Sequence, residues 1–183
     1  MSADATVLAV DDEPDLAELY RVYLDAAYDV RIATDGGEAL SEMDASVDVV
    51  LLDRRMPGMS GHEVLEEIRG EGYDARVAML TAVDPDVDIV EMPFDDYKTK
   101  PVTKEDLLTL VEVLLYRAAF DERSQEFFAL ASKKAALEAA GETDTDGYEE
   151  IIERLESVRV EVDDVLDHLS TRDAFVEVPG EAP

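Results

Sequence analysis

The sequence predicts an α/β protein: a doubly wound parallel sheet of five strands with helices on both faces, followed by an α-helical hairpin. Three observations predict it. Up to residue 118, five short apolar runs alternate with segments of helical periodicity, the pattern of βα repeats packed as an open parallel sheet. Four of those runs end in residues capable of chemistry, namely Asp11 with Asp12, Asp53, Thr81 and Lys100. Open α/β sheets place their sites at the carboxyl ends of the strands. Beyond residue 118 the strand signal ceases, apart from a weak Phe175-Val176-Glu177-Val178, and apolar residues recur at helical spacing.

Each element follows from its residues. Thr6–Val10 is a compact apolar run ending in acids, as a buried parallel strand does. Leu16, Leu19, Tyr20, Tyr23 and Leu24 then fall at helical spacing, with Pro14 and Asp15 in the first turn, where proline is tolerated. Asp29–Ala33 is a second short strand, and 36–43 a helix with Ala39, Leu40 and Met43 inward. Val47–Leu52 is the most apolar strand and stops at Asp53. Met56-Pro57-Gly58-Met59-Ser60-Gly61 is a loop by its proline and glycines. Val64, Leu65 and Ile68 mark a third helix that stops near Gly70 or Gly72. Residues 76–80 are the fourth strand, and 96–100 a fifth, also short and less apolar. Thr103 caps a long helical pattern carrying Leu107, Leu108, Val111, Leu114 and Leu115.

Past residue 118, Phe120, Phe127, Phe128, Leu130, Ala131 and Leu137 ride a further helical pattern, which the polar stretch 141–147 interrupts. Ile151, Leu155, Val158, Val162, Val165 and Leu169 then repeat at alternating steps of four and three, a heptad seam. Two helices joined by a short polar turn pack as an antiparallel hairpin, with the seam as its internal core; an intermolecular coiled coil is the alternative use of the seam. The expected organisation is an α/β domain over 4–118, a helical hairpin over 119–172 and a flexible tail over 173–183.

Composition narrows the function. The chain has 183 residues, of which 46 are acidic and 16 are Lys or Arg, giving a net charge of −30. Such a surface repels nucleic-acid phosphates and, at low salt, repels itself. It suits concentrated salt, where screening is short-ranged. From Phe120 onward there are 18 acidic and 6 basic residues, net −12, and no helix-turn-helix signature. Direct DNA binding is therefore not expected. Cysteine is absent, which excludes disulfides and thiolate metal sites. No apolar stretch approaches membrane-spanning length, and the first residues carry no export signal. A cytoplasmic protein without membrane association is the expectation.

The strand-end residues suit one chemistry. A transferring phosphoryl group is anionic, and so is a carboxylate that accepts it. Bringing them together requires a hard cation with oxygen ligands. Asp11, Asp12 and Asp53 offer three carboxylates, and a backbone carbonyl just after Asp53 can add an oxygen. Mg²⁺ fits, because it binds through few carboxylates and keeps several waters. Without metal, three neighbouring acids raise one another's pKa. Lys100 offers a mobile ammonium and Thr81 a rotatable hydroxyl to the same group. Ala82 is small and leaves the approach open.

The chain over 6–118 resembles the receiver domain of two-component response regulators. The pieces that carry the likeness are Val-Asp-Asp-Glu-Pro (10–14), Leu-Leu-Asp-Arg-Arg-Met-Pro-Gly-Met-Ser-Gly (51–61), Met-Leu-Thr-Ala (79–82) and Asp-Asp-Tyr-Lys-Thr-Lys-Pro (95–101). The resemblance implies a flavodoxin-like strand order 2-1-3-4-5 and phosphorylation of Asp53 by a partner histidine kinase. It implies Asp12 and Asp53 as Mg²⁺ ligands, Asp11 acting largely through water, and the Arg55 backbone carbonyl as a further ligand. Thr81 would move toward the phosphate and Lys100 would pair with it. Tyr97 occupies the switching aromatic position, and the Lys100–Pro101 bond would be cis. Such a protein assists its own phosphorylation and dephosphorylation but does not turn over external substrates.

Two features depart from the family pattern. Arg55 stands two residues after Asp53, and segment 83–95 is short and interrupted by Pro93, leaving room for only a small helix between the fourth and fifth strands. Receivers commonly dimerise through that region. A homodimer remains compatible with the sequence, on an altered surface. The C-terminal third resembles the HalX domain, a small helical domain that follows receivers in regulators of halophilic archaea.

Competing functions are weaker. A phosphatase with an aspartate nucleophile usually carries a second Asp two residues on, where this chain has Arg55. A dinucleotide site needs a glycine-rich turn after the first strand, which here carries acids instead. The remaining alternative is a receiver-like scaffold that takes no phosphate and binds protein partners through its C-terminal helices. In either surviving reading the output partner is an unidentified downstream protein.

Overall fold

A computed structural model describes residues 5–82, 92–141 and 143–173. The chain divides into two compact units, Met1–Leu115 and Tyr116–Pro183. The elements are β1 (Thr6–Val10), α1 (Pro14–Leu24), β2 (Asp29–Ala33), α2 (Gly36–Glu42), β3 (Val47–Leu52), α3 (Gly61–Gly70), β4 (Arg76–Thr81), β5 (Asp96–Thr99), α4 (Lys104–Ala140) and α5 (Asp146–Asp173).

In the first unit the five strands form one parallel sheet in the order β2-β1-β3-β4-β5. Alternate residues of each strand serve opposite faces. Leu8, Val10, Val50, Leu52, Val77 and Met79 pack on Ala39 of α2 and on Val64, Leu65 and Ile68 of α3. Val7, Ala9, Val49, Leu51, Ala78 and Leu80 pack on Tyr20 and Leu24 of α1 and on Leu107, Leu110, Val111 and Leu114 of α4. Both faces are covered, which is why β1, β3 and β4 read as continuous apolar runs. The edge strand β2 is half-exposed and reads less clearly.

Caps and ion pairs fix the ends of the elements. Ser60 and Glu63 form a reciprocal capping box at the start of α3. Thr103 Oγ1 accepts from the Asp106 N–H (3.1 Å) while the Asp106 carboxylate accepts from the Thr103 N–H (2.9 Å). Arg69 donates to the Pro93, Tyr73 and Ala75 carbonyls and to the Asp95 carboxylate. Asp95 also accepts from Arg76 and from the Val77 N–H, so the chain leading into β5 is stapled to α3 and β4.

Four boundaries differ from expectation; one is α2, which stops one residue earlier, at Glu42. β4 runs one residue further, to Thr81, and β5 stops one residue earlier, at Thr99. Lys104–Ala140 is one unbroken helix, and residues 118 and 119, where the sequence suggests a change of domain, both lie inside it. A shift in composition does not break a helix; glycine or proline does, and none occurs before Gly141. Gly141, at φ +75°, ends α4 in the left-handed conformation that glycine adopts without strain. A small helix is expected within segment 83–95; residues 83–91 of that segment lie outside the described residues. The tail over 173–183 also lies outside them, except for Asp173, the last residue of α5.

In the second unit, the described part of the heptad seam, 151–165, turns inward. Val158 and Val165 are buried, and Ile151, Leu155 and Val162 are half-buried. The antiparallel register is marked by Arg123–Glu161 (2.9 Å) and Arg154–Glu126 (2.7 Å) and by the stacked rings of Tyr116 and His168, 4.9 Å apart. No described helix is long and apolar enough to cross a membrane.

Candidate functional site

The strand order brings the predicted residues to one sheet edge. Each chain continues the ladder for one step past its strand: Asp11 N–H donates to the Ala33 carbonyl (3.1 Å), Asp53 N–H to Val10 (2.9 Å) and Lys100 N–H to Thr81 (2.8 Å). Because β1 neighbours β3, the carboxylates of Asp11, Asp12 and Asp53 meet. One oxygen from each lies within 4.8 Å of the other two. Thr81, 1% exposed, closes β4 beside them.

Asp11 is fully buried. One of its oxygens accepts from the Glu13 N–H (3.0 Å), which shapes the turn into α1, and the other accepts from Lys100 Nζ (2.6 Å). The same ammonium stands 3.6 Å from Asp53. The Lys100–Pro101 bond is cis. Burial pushes the Asp53 carboxyl up to about 6, Lys100 pulls it down, and the charge of Asp11 and the hydrogen bond and charge of Asp12 push it up again. Desolvation and like charge together outweigh the single ammonium.

This donor set fits a small divalent cation. The ligands are hard carboxylate oxygens, Asp12 keeps an open side toward solvent, and a second positive charge would relieve the proton affinity of Asp53. Asp11, Asp12 and Asp53 are the residues that can hold it.

The other two expected residues lie on adjoining segments. Tyr97, expected as the switching aromatic, is half-buried on β5 and packs against Phe94 with ring centroids 5.7 Å apart. Arg55, expected to offer its backbone carbonyl, lies in the loop after β3 and is an exposed residue. Two residues escape the sequence reading. Tyr20, read simply as part of an apolar helix face, is buried near the acids, and burial and the charges of Asp11, Asp53 and Glu13 raise its hydroxyl above the usual tyrosine range. Gly61, read as a loop glycine, opens α3 directly against the backbone of Asp53.

Family comparison agrees with this geometry. A family model described as the response regulator receiver domain matches residues 7–112. The chain belongs to the response regulator receiver family. A second model, the HalX domain, matches residues 116–179, so the receiver is joined to a HalX region.

A Haloferax volcanii protein proposed to be a transcriptional regulator is 49% identical over 164 residues, which is 87% of this chain and 28% of that protein. The sensory transduction protein RegX3 of Mycobacterium bovis is 38% identical over 64% of this chain and 53% of its own length. The chain thus spans between about a quarter and about half of these relatives. Among solved structures, the response regulator protein TrrA from Thermotoga maritima, in complex with Mg²⁺-BeF, is similar with a TM-score of 0.52. It is 34% identical and the match covers 60% of this chain and 98% of TrrA. Relatives named as transcriptional regulators give no support to the exclusion of DNA contact that the charge suggests.

Proposed function

We propose that this receiver accepts a phosphoryl group on Asp53 from the phosphohistidine of a kinase, and that residues 4–118 and 119–172 serve as phosphoacceptor and output regions. The observation that supports it most is the juxtaposition of three carboxylates and Lys100 at the ends of β1, β3 and β5, with Asp53 buried but facing the open edge. Mg²⁺, held by Asp11, Asp12, Asp53 and the Arg55 carbonyl, would supply the positive charge that lets two anions meet.

The chain's own residues do the rest. An Asp53 oxygen attacks phosphorus; the new O–P bond forms as the N–P bond breaks, and the electron pair leaves on the imidazole, which takes a proton. Lys100 Nζ, shared between Asp11 and Asp53 at rest, turns to an oxygen of the transferred group. The Thr81 hydroxyl donates to the same group, and its shift frees space toward which Tyr97 moves. Burial of the site keeps water from competing with the acceptor. The consequence is a change in an element with two arrangements, read by a downstream protein.

Intact-mass measurement after incubation with a small acyl phosphate tests this. One added phosphate is expected with Mg²⁺ and none after chelation. Uptake that is indifferent to chelation would count against the acidic site.

A further inference from the structure

We infer that Gly61 is a positioning residue for the phosphoacceptor: its missing side chain is what lets the chain after Asp53 take its path. This rests on Asp53 as acceptor. A Cβ built on Gly61 would stand 2.0 Å from the Asp53 carbonyl oxygen and 2.9 Å from both the Asp53 carbonyl carbon and the Arg54 Cα. Those are backbone atoms, so no rotamer change relieves the clash. On the same side, the Gly61 N–H donates to the Arg54 carbonyl (2.9 Å).

The acceptor backbone is therefore clamped from two directions. Asp53 N–H is tied to Val10 of β1, and its carbonyl lies against the first residue of α3. The other end of the clamp is also fixed: the Ser60–Glu63 capping box ties the chain immediately before Gly61 to the first turn of the helix. Val64, Leu65 and Ile68 are fully buried under the sheet, so α3 cannot withdraw. Any side chain at 61 must displace residues 53–55 instead. A shift of that backbone misdirects the Asp53 carboxylate and the Arg55 carbonyl together, and a misplacement of about 1 Å at a reacting group costs on the order of a hundredfold in rate.

The neighbouring glycines separate this effect from general loss of fold. Gly70 lies in the same helix, and a Cβ there meets nothing within 4 Å. The full chain is compared as wild type, Gly61→Ala and Gly70→Ala. Phosphate uptake from a small acyl phosphate is measured at saturating Mg²⁺, under conditions where far-UV circular dichroism shows each variant folded. Gly61→Ala is expected to slow uptake at least tenfold and to raise the Mg²⁺ concentration needed for half-maximal uptake, while Gly70→Ala matches wild type. Folded Gly61→Ala with uptake within twofold of wild type overturns the inference while leaving Asp53 as acceptor intact. No uptake by wild type overturns both.

Should Gly61→Ala fail to fold, amide hydrogen exchange on the wild type decides. First-turn amides of a helix have no partner within it. Strong protection of the Gly61 amide is expected from its bond to Arg54, and exchange at the rate of an open loop would refute the clamp.

Discussion

Replacing Asp53 by Asn makes the metal-free protein more stable at neutral pH, although it removes a partner of Lys100. The sign follows from burial. The folded-state value of about 6 lies above the usual 3.8, so the folded protein binds this proton more tightly than the unfolded chain does. Stability is then lost as pH rises from 3.8 through 6, and below that window the cost is absent. Integrating the two titrations gives a cost of about 1 kcal/mol at pH 4.5 and about 3 kcal/mol at pH 7.5. Asp53 is 6% exposed, so solvent screening takes little from this. Lys100 keeps its closer partner, Asp11 at 2.6 Å, when Asp53 loses its charge. Asn keeps the shape and removes the charge. Urea unfolding followed by circular dichroism, in chelator and at fixed high ionic strength, should show a stability gain for Asp53→Asn that grows by about 2 kcal/mol between the two pH values. A variant less stable than wild type at pH 7.5, or a gain independent of pH, refutes the reasoning.

Other perturbations have defined outcomes. Lys100→Met leaves the fully buried Asp11 without its ammonium, at a cost of about 3 kcal/mol in chelator; Mg²⁺ in the same urea titration should recover part of it. Ser60→Ala removes the acceptor for the Glu63 N–H and should lower stability by about 1 kcal/mol. Val158→Asp places a charge at a fully buried point of the seam. It should reduce helical circular dichroism while leaving phosphate uptake by the receiver unchanged; lost uptake would contradict independent roles for the two units.

What the sequence reveals here follows from where chemistry falls relative to periodicity. β1, β3 and β4 are buried on both faces, so their apolar runs and the acids or hydroxyl that end them are legible by inspection. The edge strand β2 and the short β5 give weaker signals because most of their residues are only partly buried. The site set is legible because parallel strands share one carboxyl edge. Its wiring is not: that Lys100 lies nearer Asp11 than Asp53 depends on the reach of a flexible side chain. The raised proton affinity of Asp53 depends on depth, which spacing does not encode. Nor does sequence show that Gly61 touches Asp53, since eight positions separate them and only the folding back of α3 brings them together. The continuity of α4 is missed for a different reason: acidity and a change of role after residue 118 suggest a boundary, but helix propensity has no break there.

Locating the phosphate is the most direct test of the central chemistry. Borohydride reduces an aspartyl phosphate to homoserine, so protein treated with an acyl phosphate and Mg²⁺, trapped and digested, reveals the modified residue by peptide mass spectrometry. Homoserine at position 53, lost in Asp53→Asn, is the predicted result. Modification at Asp11 or Asp12 instead, or at position 53 in protein lacking divalent cations, would contradict it.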